Sequence, residues 1–123
     1  MYTDSLIKIK NAIQARKKIV KLKFSRMDKA IIDVLERHGF VGSSEVKGRS
    51  SKRFVFVNLK ARRPIDGLKF ISKPSVRRYF GYREIRRVKG GHGVLLLSTP
   101  QGIITGEEAR KEKVGGEALF EIW

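Results

Sequence analysis

The sequence predicts an α+β protein built from two packed modules, and three observations carry that expectation. The first half alternates helical and strand periodicity. The second half breaks into short apolar runs punctuated by Pro74, Gly81, Gly90, Gly91, Gly93 and Gly102, the pattern of a mostly antiparallel β module. At 123 residues with 41% hydrophobic content, the chain holds one core or two small ones and is not composed like a disordered segment.

Leu6, Ile9 and Ile13 fall at helical spacing, and Thr3 and Asp4 are placed to start that helix. Ile19 to Phe24 alternates apolar and basic residues, as in a half-buried strand. Ser25-x-x-Asp28 then opens a second helix in the manner of a capping box, with Asp standing in for Glu. Met27, Ala30, Ile31, Val34 and Leu35 form its apolar stripe, and Gly39 supplies the stop. Phe40 to Lys47 and Arg53 to Ala61 read as two strands joined by the polar loop Gly48 to Lys52. Helix, strand, helix, strand, strand therefore make an N-terminal α/β module over residues 1–63, with Pro64 to Gly67 as the boundary.

The second module, 64–123, is expected to be mostly β with one short helix. The runs Leu95-Leu96-Leu97 and Ile103-Ile104 read as paired strands around a hydroxyl-rich tip ending in Gly102. Thr105-x-x-Glu108 is a capping box before Ala109, Arg110 and Lys111, and Gly115-Gly116 is read as the helix stop. Ala118 to Trp123 reads as a final, buried strand.

Charge narrows the function. Lys and Arg total 28 against 12 Asp and Glu, a formal net charge of +16, which points first to a polyanion such as nucleic acid. The charge is also segregated. Only Lys and Arg carry charge between Asp4 and Asp28, and Glu84 is the lone acid between Asp66 and Glu107. Without cysteine, disulfides, thiolate metal sites and Cys catalysis are excluded. No apolar run approaches the roughly 20 residues needed to span a bilayer. Basic residues interrupt any leader-like stretch at the N-terminus, so a soluble protein in a reducing compartment is expected.

Enzymatic chemistry has little to work with. His38 lies at a helix end, where its charge suits the helix dipole. His92 lies in Gly90-Gly91-His92-Gly93, which lacks the Lys-Ser/Thr ending of a phosphate loop and reads as a turn between strands. Glu107-Glu108 fits the first turn of a helix rather than an acid pair. No catalytic residue, metal ligand or cofactor is assigned.

Groups suited to RNA are better supplied. The 95–105 hairpin tip offers Ser98, Thr99 and Gln101, and Gly102 allows close approach. Lys73-Pro74-Ser75-Val76-Arg77-Arg78-Tyr79-Phe80 mixes cations with two aromatics. In an extended segment Arg77 and Tyr79 share a face, with Arg suited to phosphate and Tyr to base stacking or a sugar hydroxyl. Residue type alone leaves Tyr79 open between that role and the core, and assigns Phe80 to the core. Lys52, Arg53 and Arg49 at the tip of the first module's hairpin read as nonspecific phosphate contacts or solvated charges.

Several motifs together resemble the bacterial form of universal ribosomal protein number eight of the small subunit. Leu97-Ser98-Thr99-Pro100-Gln101-Gly102-Ile103-Ile104-Thr105, Glu108-Ala109-Arg110 and Gly115-Gly116-Glu117 resemble that family's C-terminal signature in order and spacing. Ile9-Lys10-Asn11-Ala12 resembles its N-terminal Ile-Arg-Asn-Ala, and Ser25 through Val41 its second helix and following strand. Ile71-Ser72-Lys73-Pro74 with Arg77 and Tyr79 resembles its central motif.

The resemblance implies a structural protein that binds the central domain of small-subunit ribosomal RNA directly, assists assembly, and sits in the cytoplasmic ribosome. By the family pattern, Ser98, Thr99, Gln101 and Gly102 fall on the RNA-recognition loop and Tyr79 on the RNA-contacting tyrosine. Arg26 and Lys52 fall near backbone-holding lysines, and Glu117 on an acidic position that supports the loop. Pro100 stands where the family usually has Ser, which removes a hydroxyl and a backbone donor while fixing φ. The resemblance also implies neighbouring small-subunit proteins as partners, number five among them. Its alternative role is translational repression through a messenger RNA that mimics the ribosomal site.

Overall fold

A computed structural model describes residues 2–60, 64–73, 75–86 and 93–123. Pro74, the 61–63 end of the first module and the Gly90-Gly91-His92 turn lie outside the described residues. The architecture is α+β, as the sequence predicts, and it divides into two compact units, Met1–Pro64 and Ile65–Trp123.

The first unit runs α1 (Tyr2–Gln14), β1 (Ile19–Lys23), α2 (Arg26–Arg37), β2 (Ser44–Lys47), a 3-10 turn (Ser50–Lys52) and β3 (Phe54–Asn58). Its antiparallel sheet has the order β1-β3-β2, with Val55 opposite both Leu22 and Val46. Leu22, Val55 and Val57 are buried on one face, and the helices add Leu6, Ile9, Ile31 and Leu35 to the core. Ile32 is buried too, although it lies outside the predicted stripe, whereas Met27 at the start of α2 is exposed.

Ser25 caps α2 by accepting the Asp28 N–H at 3.0 Å. The reciprocal half of the box goes elsewhere: Asp28 Oδ2 accepts the Ser5 hydroxyl of α1 at 3.1 Å, tying the two helices together. Phe40 and Val41, expected in a strand, are buried outside one. The Phe40 N–H closes the end of α2 on Leu35 O at 2.9 Å, so bonding to β3 begins only at Gly42, whose N–H donates to Asn58 O at 2.7 Å, and β2 itself at Ser44.

The second unit holds β4 (Leu68–Phe70), β5 (Tyr79–Phe80), a 3-10 turn (Tyr82–Glu84), β6 (Val94–Thr99), β7 (Gly102–Thr105), α3 (Gly106–Glu112) and β8 (Gly116–Ile122). The sheet order is β4-β8-β6-β7, and β5 also pairs with β8. The last strand is therefore central. β4 and β5 follow one another along one edge, while β6 takes the other.

Leu95, Leu97, Ala109, Ala118 and Ile85 form a buried cluster against which Ile71, Phe80, Tyr82 and Ile104 pack. Thr105 caps α3 by accepting the Glu108 N–H at 3.2 Å while its hydroxyl donates to Glu108 Oε1 at 3.1 Å. The helix ends at Lys113 in the left-handed conformation, φ 54°, before the glycine pair is reached. No helix among the described residues is long and apolar enough to cross a membrane.

Leu97 is fully buried at the centre of the second core. Leu97→Ala is expected to lower unfolding free energy by ~2–5 kcal/mol. Urea denaturation followed by circular dichroism checks this; a shift below 1 kcal/mol, about what a small surface change costs, would contradict the packing described.

Candidate nucleic-acid interface

The segment expected to recognise RNA is the β6–β7 hairpin. Pairing runs from Leu96–Thr105 to Thr99–Gly102 and leaves Pro100 and Gln101 as the tip. Proline suits the first central position, because its φ is preset and no ladder donor is lost there. The Thr99 hydroxyl accepts the Gln101 N–H at 3.2 Å and donates to Gly102 O at 2.9 Å. Thr99 thus shapes the turn from within, whereas the sequence alone placed its hydroxyl outward beside that of Ser98. Gly102 has φ +116°, a conformation side chains rarely adopt, and no atom lies within 4 Å of where its Cβ would stand. The tip backbone is open to an approaching partner.

A second strand pair brings further groups to the hairpin base. Glu117 on β8 lies opposite Ser98 on β6 and opposite Tyr79 on β5. Cross-strand partners point to the same side of a sheet, so Tyr79, Glu117 and Ser98 form one row across three adjacent strands. Tyr79 is 66% exposed, which settles the open question of its placement against the core. Phe80, its neighbour, packs against the buried cluster. Ser98 and Glu117 are half-buried, and among the described residues neither side chain is engaged in a hydrogen bond or ion pair. Glu117 meets the hairpin through its backbone pairing with Ser98.

The close approach of these strands depends on the glycine pair. A Cβ on Gly116 would stand 2.2 Å from Ser98 O, and one on Gly115 would stand 2.4 Å from Phe80 O. Both contacts are with backbone, which cannot swing away. The pair was legible as a helix stop; its steric role shows only once β5 and β6 flank β8.

Ser72 stands in the Ile71-Ser72-Lys73-Pro74 motif, but the sequence assigned it no role. It is 2% exposed, and its hydroxyl donates to Ala118 O at 2.6 Å while accepting the Arg78 N–H at 2.9 Å. Arg78 O in turn accepts the Ala118 N–H at 2.8 Å. One buried hydroxyl therefore pins the loop between β4 and β5 to β8, just before Tyr79. Within that loop Lys73 and Val76 exchange backbone bonds of 2.8 and 3.0 Å, and Lys73 and Arg77 are exposed. In the sequence Ser72 was visible as a member of that motif, a small hydroxyl between an apolar run and the Lys-Pro pair, with nothing to show which groups it bonds.

The remaining candidates lie in the first unit. Arg26 is the first residue of α2 and Lys52 the last of the 3-10 turn, both exposed. Among the described residues no group of three His, Asp or Glu side chains could hold a metal ion.

The family model described as Ribosomal protein S8 matches residues 1–123. The chain is 43% identical over 124 residues to Small ribosomal subunit protein uS8 of Caldicellulosiruptor bescii, covering 98% of this chain and 94% of that one. It is 42% identical to the protein of the same name from Thermosynechococcus vestitus, covering 98% and 94%. Small ribosomal subunit protein uS8c of Lotus japonicus is 39% identical, covering 98% and 95%. The basic α+β chain is thus a ribosomal, RNA-binding protein with a structural role. It belongs to the ribosomal protein S8 family.

Two substitutions test the scaffold beneath the row. Gly116→Ala is expected to cost ~1–3 kcal/mol by forcing β6 and β8 apart. Ser72→Ala, which strands a buried carbonyl and an amide, is expected to cost about 1–3 kcal/mol. Both should speed amide exchange at Arg78 and Ala118, a change read residue by residue by NMR. Unchanged protection in both variants would remove the pinning role.

Proposed function

We propose that the protein binds an irregular helix in the central domain of small-subunit ribosomal RNA and helps that domain fold during assembly. The row Tyr79–Glu117–Ser98 beside an open hairpin tip carries this reading. An exposed aromatic offers a stacking surface for an unpaired base. The Ser98 hydroxyl and the Gln101 side chain offer donors and acceptors for base edges and riboses. The Glu117 carboxylate accepts only from donors, so it favours base amino groups or 2′-hydroxyls over phosphate. Lys73, Arg77, Arg26 and Lys52 supply phosphate contacts that position the RNA without reading it.

Affinity in this mechanism comes in two parts. Phosphate contacts release counterions and so weaken as salt rises. Stacking and hydrogen bonding at the row depend on RNA shape and survive salt better. The same surface would serve a messenger RNA mimic of the ribosomal site, which makes repression of its own operon a second use of one interface. The cytoplasmic ribosome as location, and neighbours such as small-subunit protein number five, belong to the same reading.

Nucleotide-resolution footprinting of purified protein on small-subunit RNA is the test, run with excess transfer RNA and across a salt series. A compact footprint on one irregular central-domain helix is expected. Diffuse protection that vanishes with salt would overturn the reading in favour of a generic polyanion binder.

Tyr79→Ala is expected to weaken site-specific binding by ~1–3 kcal/mol without changing the salt slope, since a stacked base is lost and no cation is. Lys73→Gln with Arg77→Gln should instead flatten the slope by about 1–2 units. Equal affinity of the Ser98→Ala, Thr99→Ala double variant and wild type at physiological salt would end the hairpin's assigned role.

A further inference from the structure

The first unit has an open sheet face that the hairpin reading does not use. Along β3 the valines and phenylalanines alternate: Val55 and Val57 are fully buried, so Phe54 and Phe56 point to the opposite face, where they are half-buried. Register sets Lys23 and Lys47 beside Phe54, and Lys21 and Glu45 beside Phe56. The Lys21 ammonium lies 4.0 Å from the Phe54 ring centre and 5.9 Å from that of Phe56, and the Lys47 ammonium lies 5.3 Å from Phe56. Lys21, Lys23 and Lys47 are exposed, and Ile19 at the far end of β1 is 58% exposed. Glu45 is the only acid among these neighbours, and its carboxylate lies 3.8 Å from Lys47.

Lysine stems commonly cover apolar surface, and that alone would explain a solvated face. It does not explain why the outward positions of the central strand are both aromatic. Thr or a charged residue would fill such positions while leaving less apolar surface in water. Two rings at i and i+2 of one strand stand roughly 6.7 Å apart, a spacing at which two bases can each take a ring. Exposed cation–π contacts hold a lysine only weakly, so the ammonium groups can turn to phosphates when bases arrive. Charge complementarity selects the occupant. An apolar protein surface would have to desolvate three ammonium groups, whereas a nucleic acid strand neutralises them.

We propose that this face is a second nucleic-acid surface, binding a short single-stranded stretch of RNA. Bases stack on Phe54 and Phe56, and Lys21, Lys23 and Lys47 hold the phosphates. It is separate from the row around Tyr79, and each can fail without the other.

The test uses the full-length protein carrying Tyr79→Ala, which silences stacking at the hairpin. Fluorescence anisotropy follows binding of a fluorescein-labelled oligouridylate of about a dozen nucleotides, the size such platforms accommodate. Phe54→Leu with Phe56→Leu is expected to weaken binding about tenfold or more with an unchanged salt slope. Phe54→Tyr with Phe56→Tyr should retain affinity, and circular dichroism should show all variants folded. Lys21→Gln, Lys23→Gln, Lys47→Gln should lower the slope of log K against log salt by about 2, three phosphates at ~0.7 each. Binding unaffected by the leucine pair would overturn the proposal and leave a purely electrostatic face. Photocrosslinking of p-benzoylphenylalanine at position 56 to a ribosomal protein, with no RNA adduct in assembled particles, would overturn it in favour of a protein partner.

Discussion

The second unit depends on two strands reaching β8 at the same place from opposite edges. Residue 117 is the meeting point, paired to Tyr79 on one side and Ser98 on the other. That geometry requires the neighbouring backbone to be bare. With a Cβ at 115 or 116 the carbonyls of Phe80 and Ser98 would be contacted at 2.4 and 2.2 Å, far inside any real contact. Two missing methyl groups thus decide whether an aromatic, a carboxylate and a hydroxyl share one row. The buried Ser72 hydroxyl fixes the same junction from the loop side through Ala118 and Arg78. The proposed RNA surface is accordingly rigid where it reads and charged where it merely holds.

A net charge of +16 makes Glu117 the most informative side chain of that row. Long-range attraction brings any polyanion to the protein, and cations bind every phosphate alike. A carboxylate between a tyrosine and a serine acts in the opposite sense. It repels phosphate and rewards hydrogen-bond donors, so an RNA bound across the row as proposed would have to present a base edge or ribose there. Attraction from many cations and local repulsion from one acid are together how a basic protein can be selective.

The elements with their own local signals were legible in the sequence. α2 announced itself through Ser25 and the Ile31–Val34–Leu35 stripe, and the β6–β7 hairpin through two apolar runs around a proline tip. Thr105 and Glu108 marked α3 for the same reason: a cap is a local interaction. β4 and β5 have three and two residues and no periodicity to detect; they are strands because the edge of β8 offers them partners. Phe40 and Val41 looked like strand because they are apolar, yet burial at a helix end satisfies them equally well. The site residues divide likewise. Ser98, Tyr79 and Glu117 could be nominated singly from motifs, but the row they form is a matter of register. Ser72 was visible as a motif member, but its role was not, because it acts through backbone groups 6 and 46 residues away.

Pro100 shows how one substitution can shift the balance within such a loop. A serine there would add a hydroxyl and an amide for RNA, each worth about 0.5–1.5 kcal/mol net. Proline offers neither, but it restricts the unbound tip, and fixing one residue's backbone otherwise costs roughly 1–2 kcal/mol of entropy. The Thr99 hydroxyl, bonded to both Gln101 and Gly102, restrains the same turn from the other side. The lost contacts and the entropy spared are of the same order, so the loop can keep its affinity while changing how it is achieved. On the proposed reading, the hairpin would meet RNA as a pre-shaped surface, with Ser98 and Gln101 as its polar groups and the turn itself already formed.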